Sequence, residues 1–178
     1  RNHMKGVHTV NCSEVIRERR SIRKYKENVT IPQEDFERML EAAMMAPSAC
    51  NTRPWQFFVV INREMIAKLR EAHPFTKMLS TASAAIVVCG RPDLQEGVCK
   101  EFWPQDCGAA IENLLLQAKD LGYGTCWCGC YPSMDRVEKL QEILGTSSIP
   151  VAIVAVGEAD EAPAPRGHFD PERVTYLR

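Results

Sequence analysis

Two stretches of the chain, "AAIVVCG" at 84–90 and "IPVAIVAVG" at 149–157, are apolar from end to end, with no polar residue at alternate positions. A strand with one wet face alternates apolar and polar residues, because successive side chains point to opposite sides of a sheet. Runs without alternation therefore predict strands buried on both faces, at the centre of a sheet covered on each side by another layer. Their centres are expected at about 86–89 and 150–156.

The covering layers are legible as helices. In "IPQEDFERMLEAAMMAP" (31–47), Phe36, Met39, Leu40, Ala43 and Met44 recur every three or four residues and predict one buried face. Pro32 suits the first turn and Pro47 stops the helix. Ser13 is expected to cap a shorter helix reaching about Arg20. "WQFFVVI" (55–61) reads as a strand, followed by a charged helix at 63–72. From Asp106, a candidate cap, to Leu121, the positions Ala109, Ala110, Asn113, Leu114, Gln117 and Leu121 keep helical spacing. "GYGTCWCG" (122–129) predicts a turn entering a strand, and Ser133 a cap for a helix through Val137, Leu140 and Leu144 that Gly145 ends. The remainder, 158–178, is rich in proline and charge and reads as a tail that lies on something.

Composition narrows the function. A chain of 178 residues with formal charge −1 is the size of one domain and carries no broad attraction for nucleic acid or membrane. No apolar run of about 18 residues predicts a transmembrane helix, and without a secretory signal the expected home is the cytoplasm. Residues 1–10 open on "RNHMKG", which reads as a cloning remnant and extension, with His3 and Met4 at the junction. The 8 cysteines include no C-x-x-C pair, and His73 and His168 stand alone, so free thiols are expected and no metal site is assigned. Neither a G-x-G-x-x-G fingerprint, a P-loop nor a G-x-S-x-G elbow is present.

Two constellations could carry chemistry. "RRSIRKY" (19–25) gathers Arg19, Arg20, Ser21 and Arg23, whose guanidinium forks and hydroxyl suit a phosphate; a solvated charged surface is the alternative. "APSACNTRPW" (46–55) opens from a proline-ended helix into small and amide residues; Ser48, Asn51 and nearby main chain could bind a planar polar ligand, or simply satisfy an ordinary turn.

Together with "DCGAAIENLLLQAKDLGYGTCWCGCYP" (106–132) and "IPVAIVAVGEADEAPAPR" (149–166), these motifs resemble, in order and spacing, the short-form nitroreductase family of flavin enzymes, over nearly all of Cys12 to Tyr176. The resemblance implies an α+β fold, a three-layer α/β/α sandwich around a mixed, largely antiparallel sheet. It implies one domain over 11–178 in an intertwined homodimer, with FMN in each interface site and a tail, from about 158, reaching over the partner. Matched position by position, it puts Arg19, Arg20, Ser21 and Arg23 in the family's N-terminal FMN motif, with Arg19 and Ser21 serving the ribityl phosphate end, and gives Pro47, Ser48, Ala49 and Asn51 to the loop supplied by the opposite subunit. Lys77 falls at the flavin's pyrimidine side. Trp127, Cys128 and Gly129 face the ring, where a backbone N–H approaches N5 and O4, and Arg166 lies on the phosphate. Two positions depart from the family pattern: Arg53 stands where glutamine is common, and Ala164 where a second basic residue is common, so phosphate binding is expected to lean on Arg19 and Arg23.

The activity so implied is transfer of a hydride from NADH or NADPH to flavin N5, then reduction of a nitroaromatic, quinone or similar acceptor in the same space, with no dedicated catalytic side chain. A specialised branch, reductive dehalogenation or flavin breakdown, would draw on the segment 91–105, where Phe102 and Trp103 either stack on a substrate or belong to the core. A non-catalytic flavin carrier or a thiol or metal binder is the reading from another class. In "TCWCGCYP" (125–132), an extended chain puts Cys126, Cys128 and Cys130 on one face and Trp127 on the other. The thiols are then expected to be packing groups and the main chain to be what matters.

Overall fold

The computed structural model describes residues 11–178; the N-terminal remnant expected at 1–10 lies outside the described residues. Nine elements follow the predicted order: α1 (Cys12–Glu18), α2 (Gln33–Met44), β1 (Trp55–Val60), α3 (Arg63–Ala72), β2 (Ala84–Gly90), α4 (Trp103–Asp120), β3 (Gly124–Gly129), α5 (Met134–Leu144) and β4 (Ile149–Gly157). The sheet order is β1-β2-β4-β3, so the two fully apolar runs are the central pair. All three strand pairs are antiparallel. The parallel component of the expected mixed sheet is a single bridge, Ser21 to Thr125.

Alternation along the central strands divides the core in two. Ala84, Ile86 and Val88 of β2, with Val154 and Val156 of β4, pack against Phe36 and Met39 of α2 and the inner side of α4. Val87 and Cys89, with Ile153 and Ala155, pack against Ile66 and Leu69 of α3 and Leu140 of α5. Each central strand thus offers an apolar layer to both sides, and the result is α2 and α4, sheet, α3 and α5.

Several local expectations are corrected. The N-cap of α1 is Asn11, not Ser13: its side chain accepts from the Glu14 N–H while Glu14 returns a bond to the Asn11 N–H, a reciprocal pair that Ser13 cannot match. Ser133 occupies the N-cap of α5 but makes no side-chain capping bond. Met44 is exposed, because α2 buries only Phe36, Met39 and Ala43 fully. The α4 helix begins at Trp103, three residues before Asp106, so Asp106 is not its cap. Wedged between sheet and α2, α4 buries a wider stripe than the predicted one, including Cys107, Ile111, Leu115 and Ala118.

The start of the 158–178 segment lies on residues 24–26 of its own chain. Ala159 bridges Tyr25, the Asp160 N–H donates to the Lys24 carbonyl at 2.9 Å, and Lys26 pairs with Glu158 at 2.8 Å. Beyond Pro163 nearly every residue is exposed.

Candidate functional site

The open edge of β3 is the best-furnished region of the surface. Register pairs Gly129 with Ala152 and Cys128 with Ile153, and the Cys130 N–H donates to the Val151 carbonyl at 2.8 Å. Antiparallel ladders alternate inward- and outward-facing residues, so Cys126, Cys128 and Cys130 bond β4 while Thr125, Trp127 and Gly129 turn their N–H and C=O to the free edge. The Ile22 N–H takes the Thr125 carbonyl at 2.8 Å, as this parity requires. Of Cys128 and Gly129, it is Gly129 whose N–H faces the free edge, while the Cys128 N–H is turned toward β4.

The Gly129 carbonyl is held from outside the sheet, by His73 Nε2 at 2.6 Å and Arg136 Nη1 at 3.1 Å. A Cβ built on Gly129 would meet nothing within 4 Å, so the space beside it is open. Trp127, 39% exposed, lies on the same side with its ring over Gly108 of α4.

Below this edge the basic residues divide between two cavities. Arg23 and Lys77 line one cleft of about 820 Å³ together with Met78 and Tyr25. Arg19 and Arg20 line a narrower recess of about 200 Å³ with Lys119 and Glu161. Arg19 otherwise meets only Glu112, at 3.5 Å. Arg20 donates Nη1 to the carbonyls of Arg17 and Arg19, and its Nε is buried with no acceptor. Ser21 is fixed by its bridge to Thr125, and the Arg23 N–H donates to Glu161 Oε1 at 2.6 Å. The cationic field reaches the sheet: the Cys126 thiol is drawn below the usual range first by a hydrogen bond from Cys128 and then by Arg23 and Arg19, against the opposing cost of its burial. Cys128 is pushed far up by that bond and by burial, which keeps it a thiol. All eight cysteines are free, and among the described residues no group of three or more His, Cys, Asp or Glu could hold a metal ion.

The second predicted group sits elsewhere. Pro47, Ser48, Ala49 and Asn51 lie just before β1, on the opposite edge of the sheet, three strand spacings or roughly 14 Å from β3. They line neither cavity above. Their loop is rigid and strained: Cys50, Asn51 and Arg53 all have φ between 51° and 52°, a left-handed conformation that costs non-glycine residues about 1–2 kcal/mol each. Bonds from the Ala49 N–H to Asp106 Oδ2 (3.2 Å), from the Arg53 N–H to Ser48 Oγ (3.0 Å) and from Gln95 Nε2 to Thr52 Oγ1 (3.0 Å) hold it. Asp106, buried in α4, also accepts from Gln95 at 2.8 Å. Arg166 is exposed in the tail. Trp103 is core, tilted on Tyr131 at 4.6 Å, whereas Phe102 is 42% exposed.

Reading the sequence missed His73, Arg136 and Asp106 as supporting residues. Each acts through a contact between distant segments, and only the "HPF" turn, fixing His73 ahead of Lys77, left a local trace.

The chain matches known proteins over most of its length. The family model described as "Nitroreductase family" matches residues 16–73 and 75–158. The chain is 42% identical over 175 residues to a protein of Methanothermobacter thermautotrophicus described as "Putative NADH dehydrogenase/NAD(P)H nitroreductase", covering 97% of this chain and 90% of the relative. A crystal structure under the same description from Parabacteroides distasonis superposes with a TM-score of 0.86 at 32% identity, covering 92% of this chain and 96% of the other. An FMN-dependent nitroreductase from Clostridium difficile R20291 superposes with a TM-score of 0.83 at 28% identity, covering 92% and 98%. The chain belongs to the nitroreductase family.

Proposed function

We propose that the protein is an FMN-dependent oxidoreductase that uses NADH or NADPH to reduce a nitroaromatic, quinone or similar small acceptor, working as a cytoplasmic homodimer. The observation that carries this reading is the β3 edge, where Gly129 presents a free main-chain donor at one end and Arg19 and Arg20 line a recess with Gly124 and Thr125 at the other.

The residues fit the cofactor. Arg19, Arg20 and Ser21 offer only donors to an anion, and the buried Arg20 Nε without an acceptor is the kind of orphan that a phosphate oxygen satisfies. The empty space beside Gly129 leaves room for a flat ring against the strand, flanked by Trp127. Lys77 lines the cleft suited to the pyrimidine side, and Arg23, which lines the same cleft, serves the phosphate end. FMN, when bound, supplies the two-electron centre that accepts hydride and passes the electrons on.

The chain's part is binding, orientation and charge. The Gly129 N–H holds a donor on the exposed β3 edge, and the cations of Arg23 and Lys77 favour the more negative, reduced form of a ligand in their cleft. Pro47, Ser48, Ala49 and Asn51, carried on a stiff loop at the far edge, complete the site across a dimer axis, and the tail with Arg166 closes on the partner's phosphate end. Arg53, beside Asn51, faces the acceptor's side of such a shared site. The decisive experiment is purification followed by a visible spectrum and anaerobic mixing with NADH or NADPH. A yellow dimer bleached by either reductant supports the reading; a colourless protein that takes up no FMN overturns it.

A further inference from the structure

We infer that His73 and Arg136 are positioning residues that clamp the Gly129 carbonyl so that the Gly129 N–H stays aimed along the β3 edge, where it donates to the ring of the bound flavin. The inference rests on the FMN reading above and deepens it.

The geometry begins with a tautomer. The Phe75 N–H donates to His73 Nδ1 at 3.1 Å, so Nδ1 carries the lone pair and Nε2 carries the proton. That proton is directed at the Gly129 carbonyl, 2.6 Å away. The imidazole is itself immobile: it is 2% exposed, it ends α3, and Thr76 Oγ1 donates to the His73 carbonyl at 2.9 Å. The second donor, Arg136 Nη1 at 3.1 Å, comes from α5, and its guanidinium also lies over the Phe75 ring at 5.3 Å. One carbonyl at the end of an edge strand thus receives two donors from two different elements.

On a strand, a residue's N–H and C=O point the same way. Fixing the Gly129 carbonyl against α3 and α5 therefore fixes its N–H as well, at the one position of the edge where a Cβ would meet nothing. Without the clamp, Gly129 is held from the β4 side alone, through its neighbours Cys130 and Tyr131, and a donor that tilts loses the pre-alignment that favours charge build-up on its acceptor. The same 73–77 turn also sets Lys77 in the cleft, so one short segment orients two groups around the ring.

The test uses Arg136→Met, which removes one donor from the rim of the fold, and His73→Gln, whose amide keeps a donor near Nε2; His73→Leu removes it but also strands the Phe75 N–H. In the FMN-free protein, amide exchange at Cys130, bonded to Val151, should rise about tenfold in Arg136→Met while α4 amides are unchanged. In the FMN-loaded protein, Arg136→Met and His73→Leu should each lose about tenfold in preference for reduced over oxidised FMN, a midpoint potential about 30 mV lower, and His73→Gln should restore most of it. Wild-type potential and Cys130 exchange in Arg136→Met overturn the clamp even if His73→Leu fails to fold. A wild-type protein that binds no FMN overturns the reading beneath it and the clamp's role with it, whereas FMN binding with an unmoved potential overturns the clamp alone.

Discussion

The two edges of the sheet are finished in different ways. At β3 the chain closes on itself: Ile22 takes the Thr125 carbonyl, His73 and Arg136 take that of Gly129, and Arg19, Arg20, Arg23 and Lys77 line the adjoining cavities. At β1 the loop 47–53 is held from behind by Asp106 and Gln95, with Cys50, Asn51 and Arg53 in left-handed backbone and Pro47, Asn51 and Arg53 exposed. On the function proposed above, one edge frames a ligand and the other is a prong offered to a second copy. The difference is what a site shared across a dimer requires: two halves, each rigid before they meet.

The comparison can be broken most forcibly at Gly124, whose added Cβ would lie 2.8 Å from Ile22 Cγ1. Gly124→Ala is expected to push the 20–23 segment off the β3 edge, costing about 1–3 kcal/mol in urea denaturation and more than tenfold in FMN affinity by fluorescence titration. On the other edge, Asp106→Ala strands the Ala49 N–H and the Gln95 amide and should cost about 1–3 kcal/mol, read as a lower midpoint in thermal denaturation. Asp106→Asn, which keeps one acceptor, should recover part of that loss. Arg19→Ala sharpens the contrast between holding the fold and holding the ligand. Its ion pair to Glu112 is half-exposed, so stability should move by less than about 0.5 kcal/mol while FMN affinity falls about tenfold and depends less steeply on salt.

Acidity probes the clamp. Burial, opposed by the bond to Gly129 and reinforced by Arg136, holds the His73 pKa below its usual value. The unfolded chain therefore binds this proton more readily than the folded one. The resulting stability is complete above the unfolded value, about 6.5, and is lost as pH falls through the lower folded one. Denaturation at descending pH should show a loss that His73→Gln lacks. The smallest effect belongs to Cys128→Ser: the thiol is buried and stays protonated, so anaerobic flavin reduction and turnover should match wild type.

Much of this was legible in the chain. The unbroken runs at 84–90 and 149–157 fixed the central strands because burial on both faces leaves no place for a polar residue. The comb of cysteines resolved into three packed thiols because strand parity alone decides which face they take. Helix caps were less legible: Asn11 outcompetes Ser13 through a reciprocal pair with Glu14, and Asp106 is spent on a loop 57 residues away. His73 and Arg136 could not be read in advance, since their partner is a backbone carbonyl, and a carbonyl carries no residue identity.

The central claim is that the β3 edge, completed by a second copy, holds an FMN that accepts hydride. Anaerobic stopped-flow mixing of the purified, FMN-loaded dimer with NADH and, separately, NADPH tests it most directly. Rapid bleaching of the flavin absorbance by at least one reductant, slowed in Gly124→Ala, is the predicted result. A protein that binds no FMN, or one whose flavin neither reductant bleaches, would contradict it.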